Sequence, residues 1–260
     1  MKYSMEYIRD EVANKFPLAG TFQSVYPYGS GHINDTFALV YQLPDGKSKR
    51  YLLQKINTGV FQDPDGLMEN IIGVTDYLRR IIIQQGGNPE RETLTVIRTV
   101  DGRPYYRAEE GGCFRVYNFI EDTVSYDLVE KPADFYMSAK AFGRFQMLLS
   151  NYPAATLHET IPDFHNTAKR FENLKRAVET NRLKRAEGVR AEIEFVFARE
   201  KDTRFLVELL QDGKLPLRVT HNDTKMNNIL IDKETGKGIC IIDLDTVMPG
   251  LTFLAVSSSS

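Results

Sequence analysis

The chain has 260 residues (29.7 kDa), with 33 Lys+Arg against 35 Asp+Glu, a net charge of −2, and 42% hydrophobic residues. This composition describes an ordinary globular protein, long enough to bury a core without disulfides or a structural metal. A pI of about 6.1 lacks the basic footprint that phosphate-backbone binding requires, which argues against nucleic acid as a partner. No uncharged apolar run approaches the roughly 18 residues of a membrane span, and residues 1–12 alternate charged with apolar side chains, so neither membrane insertion nor secretion is expected. The two cysteines, Cys113 and Cys240, stand far apart in apolar strand-like contexts and read as small buried thiols in a reducing, cytoplasmic setting.

The first half predicts a strand-rich lobe. Residues 21–28, 36–43 and 51–56 read as strands, the second with Phe37, Leu39, Tyr41 and Leu43 in alternation. Pro44-Asp45-Gly46-Lys47 supplies a hairpin-type turn, and Asp101-Gly102 joins strands over 94–100 and 103–107. A helix over 64–84 lies between them, with Leu67, Ile71, Val74 and Leu78 on one face, and a strand over 113–120 closes the lobe. From Glu121 on, the period turns helical. Phe135, Ala139, Phe142, Phe145 and Leu149 define one apolar stripe, and 164–185 and 189–211 predict two further helices, burying the pairs Phe171/Leu174 and Ile193/Phe197. Their many charged residues read as a solvated face. Short strands over 218–220, 229–231 and 239–242 follow.

Between the first two of those strands, His221-Asn222-Asp223-Thr224-Lys225-Met226-Asn227-Asn228 reads H-x-D-x-x-x-x-N. Phosphoryl transfer to a hydroxyl needs a carboxylate to orient that hydroxyl and take its proton, and oxygen ligands for a cation on the phosphates. Asp223 fits the first role and Asn228 the second. Ile241-Ile242-Asp243-Leu244-Asp245 adds carboxylates on the next strand but one, with Asp243 standing 20 residues after Asp223, and both Asp243 and Asp245 are metal-ligand candidates. Loop Asp and Asn residues often serve turns alone, so the weight lies in their order and spacing. His221 reads as a brace for the loop; His32, His158 and His165 have no metal-ligand spacing.

The N-terminal half carries matching candidates for a nucleotide. Tyr28-Gly29-Ser30-Gly31-His32-Ile33-Asn34 joins two strands, so Gly29, Ser30 and Gly31 could bring backbone N–H groups to phosphates. Leu52-Leu53-Gln54-Lys55-Ile56 parallels a V-A-I-K strand, with Lys55 as the phosphate contact and Glu69, on the following helix, as its ion-pair partner. Asn118-Phe119-Ile120 lies where a hinge would offer backbone groups to adenine.

In this order the motifs resemble the aminoglycoside phosphotransferase and choline kinase branch of the protein-kinase-like enzymes. More narrowly, Gly29-Ser30-Gly31-His32-Ile33-Asn34-Asp35-Thr36-Phe37, Asp63-Pro64-Asp65-Gly66-Leu67-Met68-Glu69-Asn70-Ile71, His221-Asn222-Asp223-Thr224-Lys225 and Asp243-Leu244-Asp245-Thr246-Val247-Met248-Pro249-Gly250 resemble the N-acetylhexosamine 1-kinases, over about residues 15–251. The resemblance implies a bilobal α+β fold, with a nucleotide-binding lobe over 1–120 and a mainly helical catalytic lobe over 121–260. It implies ATP and Mg²⁺ as cofactors and transfer to the anomeric hydroxyl of N-acetylglucosamine or N-acetylgalactosamine. Asp223 would be the base, Asn228 and Asp243 the Mg²⁺ ligands, and Lys55 the phosphate contact. Choline, methylthioribose, homoserine and aminoglycoside kinases are neighbouring readings; a nucleotide-binding fragment without activity is another. A sulfatase label given to some relatives finds no C/S-x-P-x-R motif at Cys113, Cys240 or any serine. Family members continue through further helices where this chain passes into Thr252-Phe253-Leu254-Ala255-Val256 and four serines, so a shortened second lobe with exposed apolar surface is expected.

Overall fold

The computed structural model describes residues 3–29, 33–109, 111–128 and 131–251. The chain opens with a short turn of helix α1 (Met5–Tyr7), capped by the Ser4 hydroxyl and continuing through a π-helical turn to Lys15. Six strands follow in one antiparallel sheet: β1 (Thr21–Pro27), β2 (Asp35–Gln42), β3 (Ser48–Ile56), β4 (Val96–Ile97), β5 (Tyr106–Arg107) and β6 (Cys113–Asn118). Their order is β1-β2-β3-β6-β4, with β5 also pairing to β6. The expected strands over 94–100 and 103–107 shrink to two residues each because the Asp101-Gly102 turn folds back on Thr99, whose hydroxyl accepts from the Arg103 N–H.

The sheet is covered on both faces, so side-chain alternation decides which environment each residue meets. On one face Tyr51 and Leu53 of β3 and Phe114 and Val116 of β6 pack with Ile8, Val12 and Phe16 of the N-terminal segment. On the other, Ile56, Cys113 and Tyr117 meet α2 (Pro64–Gln84) through Leu67, Ile71, Val74 and Leu78. Helix α2 has the bounds the spacing predicts. Pro64 fits its first position, and the Asp63 carboxylate caps it by accepting from the Gly66 N–H at 3.1 Å.

A short helix α3 (Pro89–Glu92) precedes β4, and β7 (Thr123–Val124) leaves the first sheet to pair with β9 (Ile229–Asp232), itself paired with β10 (Gly238–Ile241). Helix α4 (Pro132–Leu148) lies against β10. Only the C-terminal part of its expected stripe is buried: Phe142, Phe145 and Leu149 pack inside, while Phe135 is 57% exposed. Helix α5 (Thr167–Thr180) is shorter than the expected 164–185 and ends at Asn181 in the left-handed region. The expected single helix over 189–211 is two, α6 (Arg190–Phe197) and α7 (Glu200–Gln211). The break falls at Ala198 and Arg199, while the half-buried positions Ile193, Phe197, Glu200, Val207 and Leu210 keep one helical phase across it. Strand β8 (Arg218–Thr220) pairs with β11 (Met248–Gly250) and brings the two loops of interest side by side. Phe135, Tyr136, Phe195 and Phe205 are exposed on this half of the chain. Residues 252–260 lie outside the described residues. Among the described residues, no helix is long and apolar enough to cross a membrane.

Candidate active site

The loop after β8 is held from within. His221 is 1% exposed and sits edge-on to the Phe142 and Phe145 rings, whose centroids lie 5.3 and 5.9 Å away. Its Nε2–H donates to the Ile242 carbonyl at 2.9 Å, and its Nδ1 accepts from the Asp223 N–H at 3.4 Å. That pattern is the neutral tautomer, and burial pushes the imidazole pKa down to match. The bracing role read from the sequence is the one the ring performs. Asn222 is buried in the left-handed region at φ +64°, which asparagine tolerates, with its amide donating to the Thr246 carbonyl at 2.9 Å. The Thr246 hydroxyl returns a bond to the His221 carbonyl at 2.6 Å.

The turn at Asn222 leaves the Asp223 side chain 20% exposed. Its Oδ2 accepts from the Asn228 amide at 3.1 Å and faces the Lys225 ammonium at 3.0 Å. With the Asn228 nitrogen committed to Asp223, the other arm of that planar amide is an oxygen, a hard ligand. Asp243, at φ +56° after β10, opens the turn over Leu244–Thr246. Asp243 is exposed to solvent, yet protein groups crowd its carboxylate. That loss of solvation, followed by the charges of Asp245 and Asp223 against the weaker pull of Arg115 and Lys225, pushes its pKa up to about 6. Both nearby cations are committed, Arg115 to Asp245 and Lys225 to Asp223. Among the described residues, Asp243 has no ion-pair partner.

Asp245 does not fit the metal-ligand role expected for it. It is 1% exposed, and Arg115 of β6 grips both its oxygens, Nη1 to Oδ1 at 2.6 Å and Nη2 to Oδ2 at 2.9 Å. Oδ2 also accepts from the Asn34 amide at 2.6 Å. Burial pulls the pKa of the Arg115 guanidinium down, but the Asp245 charge outweighs it and the net shift is upward.

Lys55 and Glu69 also depart from expectation. Lys55 lies opposite Phe114 in the β3–β6 ladder, on the face that carries the N-terminal segment, and its ammonium sits 5.0 Å from the centre of the Tyr3 ring. The cleft face of β3 is instead Leu52, Gln54 and Ile56, and Gln54 stands directly opposite Arg115. One position along a strand reverses the face, so a lysine one residue past the glutamine points away. Glu69 pairs with His158 at 2.7 Å rather than with Lys55, because its position on α2 faces the segment after α4. At the hinge, the Asn118 N–H donates to the Thr95 carbonyl at 3.0 Å, and Ile120 is buried in the core. The Phe119 ring lies between Tyr28, edge-on at 5.1 Å, and the Arg50 guanidinium at 3.8 Å. Gly29 takes φ +80°, so the chain turns there as its glycine allows; Ser30 and Gly31 lie outside the described residues.

Gln54, Asn34 and Arg115 were not singled out as site residues from the sequence. Arg115 had a signal: a lone charge in the apolar run Cys113-Phe114-Arg115-Val116-Tyr117 requires a buried partner. Asn34 lay within the glycine-loop motif, without a side-chain role.

A family model described as "Phosphotransferase enzyme family" matches residues 24–253, the span that holds every one of these groups. The chain belongs to the phosphotransferase enzyme family. Among solved structures, the chain is similar to amicoumacin kinase hAmiN, determined in complex with AMP-PNP, Ca²⁺ and Ami, at a TM-score of 0.58 and 16% identity over 99% of this chain and 69% of that one. It is also similar to an aminoglycoside phosphotransferase from Alicyclobacillus acidocaldarius, at a TM-score of 0.53 and 14% identity over 93% and 67% of the two chains. The chain thus spans about two thirds of their length. At such identities these members of the phosphotransferase family share the fold, a mixed α+β architecture of kinase type.

Proposed function

We propose that this chain is an ATP-dependent small-molecule phosphotransferase that phosphorylates the anomeric hydroxyl of an N-acetylhexosamine. The observation that carries the reading is the placement of Asp223, bonded to Asn228 and Lys225, near enough to the uncompensated carboxylate of Asp243 for its charge to act on it. Asp223 would accept a hydrogen bond from the acceptor hydroxyl and take its proton as the oxygen attacks the γ-phosphorus. The Lys225 ammonium, at 3.0 Å from Asp223, holds that carboxylate in place. Asp243 and Asn228 would hold the divalent cation, Mg²⁺, which when bound neutralises nucleotide phosphates. ATP supply and two buried free thiols suit a cytoplasmic setting. The sugar assignment rests on the four motif segments that resemble the N-acetylhexosamine 1-kinases, and the bound AMP-PNP and Ca²⁺ of the amicoumacin kinase support the nucleotide and cation assignment.

Incubating the chain with Mg-ATP and each N-acetylhexosamine, followed by ³¹P NMR, should yield an anomeric sugar phosphate. Transfer to an aminoglycoside or choline in place of the sugar would keep the phosphotransferase reading and replace the acceptor. Nucleotide binding without any transfer would support the inactive-fragment reading.

A further inference from the structure

The chemistry of the cleft calls for a cation fixed between the sheet and the metal loop, and Lys55 faces the other way. A different cation occupies the cleft face. Arg115, 1% exposed, donates Nε and Nη2 to the Gln54 side-chain oxygen at 3.1 and 2.8 Å and Nη2 to Asp245 Oδ2 at 2.9 Å, with Nη1 ion-paired to Oδ1 at 2.6 Å. Its guanidinium also touches the Met68 sulfur of α2 at 4.0 Å. One side chain therefore joins β6, β3, α2 and the turn that begins at Asp243. From Asp245 the linkage continues to Asn34, at the end of the glycine loop, whose Oδ1 accepts from the Asn57 N–H at 2.9 Å.

We propose that Arg115 is a positioning residue for nucleotide and metal: through Asp245 it fixes the Asp243 carboxylate and the Asn34 end of the glycine loop, taking over the anchoring part of a strand lysine. A planar fork suits this task because it fixes two partners in one plane, which an ammonium, a point charge, does not. Stability alone does not require the pair, since a well-packed apolar replacement of a buried ion pair is often neutral or better. What apolar packing lacks is the orientation of Asp245, which is joined to Asp243 through a single residue and accepts from both Arg115 and Asn34.

The test uses the full chain and the variants Arg115→Lys, Arg115→Met/Asp245→Leu and Lys55→Met. Three quantities are read: melting temperature, affinity for AMP-PNP in excess Mg²⁺, and amide hydrogen exchange of residues 33–36 and 243–247 without nucleotide. The double variant removes both charges together and should melt near the parent, yet bind AMP-PNP at least about tenfold more weakly, as expected when reacting groups shift by a fraction of an ångström. Exchange should rise in both segments for it and for Arg115→Lys. Lys55→Met should leave affinity and exchange within about twofold of the parent, since a side chain facing away from the cleft positions nothing there. Parent-like affinity and exchange in the double variant, or loss of binding in Lys55→Met, would overturn the proposal. The affinity arm rests on the phosphotransfer reading and the exchange arm does not. If the parent itself fails to bind Mg-AMP-PNP, that reading falls, and exchange decides the positioning role: a rise in both segments sustains it and unchanged exchange ends it.

Discussion

Replacing Asn70 by leucine should destabilise the chain by about 2–3 kcal/mol, through loss of three buried hydrogen bonds and no loss of volume. Asn70 is 1% exposed on the inner face of α2. Its amide nitrogen donates to the carbonyls of His158 at 2.8 Å and Val247 at 3.0 Å, and its oxygen accepts from the His158 N–H at 2.8 Å. One side chain thus ties α2 to the segment after α4 and to the residue that follows the Asp243-Leu244-Asp245-Thr246 turn. In the variant the His158 N–H loses its partner at about 2 kcal/mol, and the two carbonyls lose about 0.5–1 kcal/mol each, because a carbonyl tolerates partial satisfaction. The leucine side chain returns about 1 kcal/mol through apolar burial. For a chain of this size the net corresponds to a fall of about 4–10 °C in melting temperature. Urea unfolding should show a lower midpoint with an unchanged slope, while Asn173→Leu on the exposed face of α5 stays within about 0.5 kcal/mol of the parent. A midpoint for Asn70→Leu equal to that of the Asn173 control would refute the reasoning.

Other outcomes follow from the same geometry. Asp223→Asn should lower phosphoryl transfer by about 10²–10⁴-fold while leaving nucleotide affinity intact, measured by single-turnover transfer beside equilibrium binding. Asp245→Leu alone strands the Arg115 charge and should cost about 3–5 kcal/mol in urea unfolding, and adding Arg115→Met should recover most of it. In EDTA the raised pKa of Asp243 makes the folded chain bind more protons than the unfolded chain between pH 3.8 and about 6. Its contribution to stability therefore falls as pH rises through that window, and the penalty is complete above it. Melting temperatures of parent and Asp243→Asn at pH 5 and 7.5 check the sign: the variant should gain on the parent at the higher pH, and addition of Mg²⁺ should reverse the gain. A variant that loses ground as pH rises would contradict the assigned environment.

The elements were legible where local signals agreed. Helix α2 has its Asp63-Pro64 start and an unbroken apolar spacing, so both bounds follow from the sequence. The candidate loop was legible because its residues are close together in the chain: His221 and Asn228 both bond to Asp223 within one turn. What the sequence hid was the facing of side chains across the ladder. The Gln54-Lys55 pair offers two candidates one residue apart, and only the register with Phe114 and Arg115 says which one looks into the cleft. Asp243 and Asp245 are likewise alike in sequence, and their roles separate through a partner on a distant strand. The break between α6 and α7 carries no Gly or Pro, and the half-buried stripe keeps its phase from Ile193 and Phe197 to Val207 and Leu210, so no local signal marks it.

The central claim is that Asp223, Asn228 and Asp243 form a metal-dependent nucleotide site, and calorimetric titration of AMP-PNP in the presence and absence of Mg²⁺ tests it most directly. The parent should bind one equivalent with Mg²⁺ and lose at least about tenfold in affinity with EDTA, since phosphate oxygens beside Asp243 need a bridging cation. Asp243→Asn should show weak binding in both conditions. Affinity that ignores both the metal and the substitution would contradict the assignment of the site.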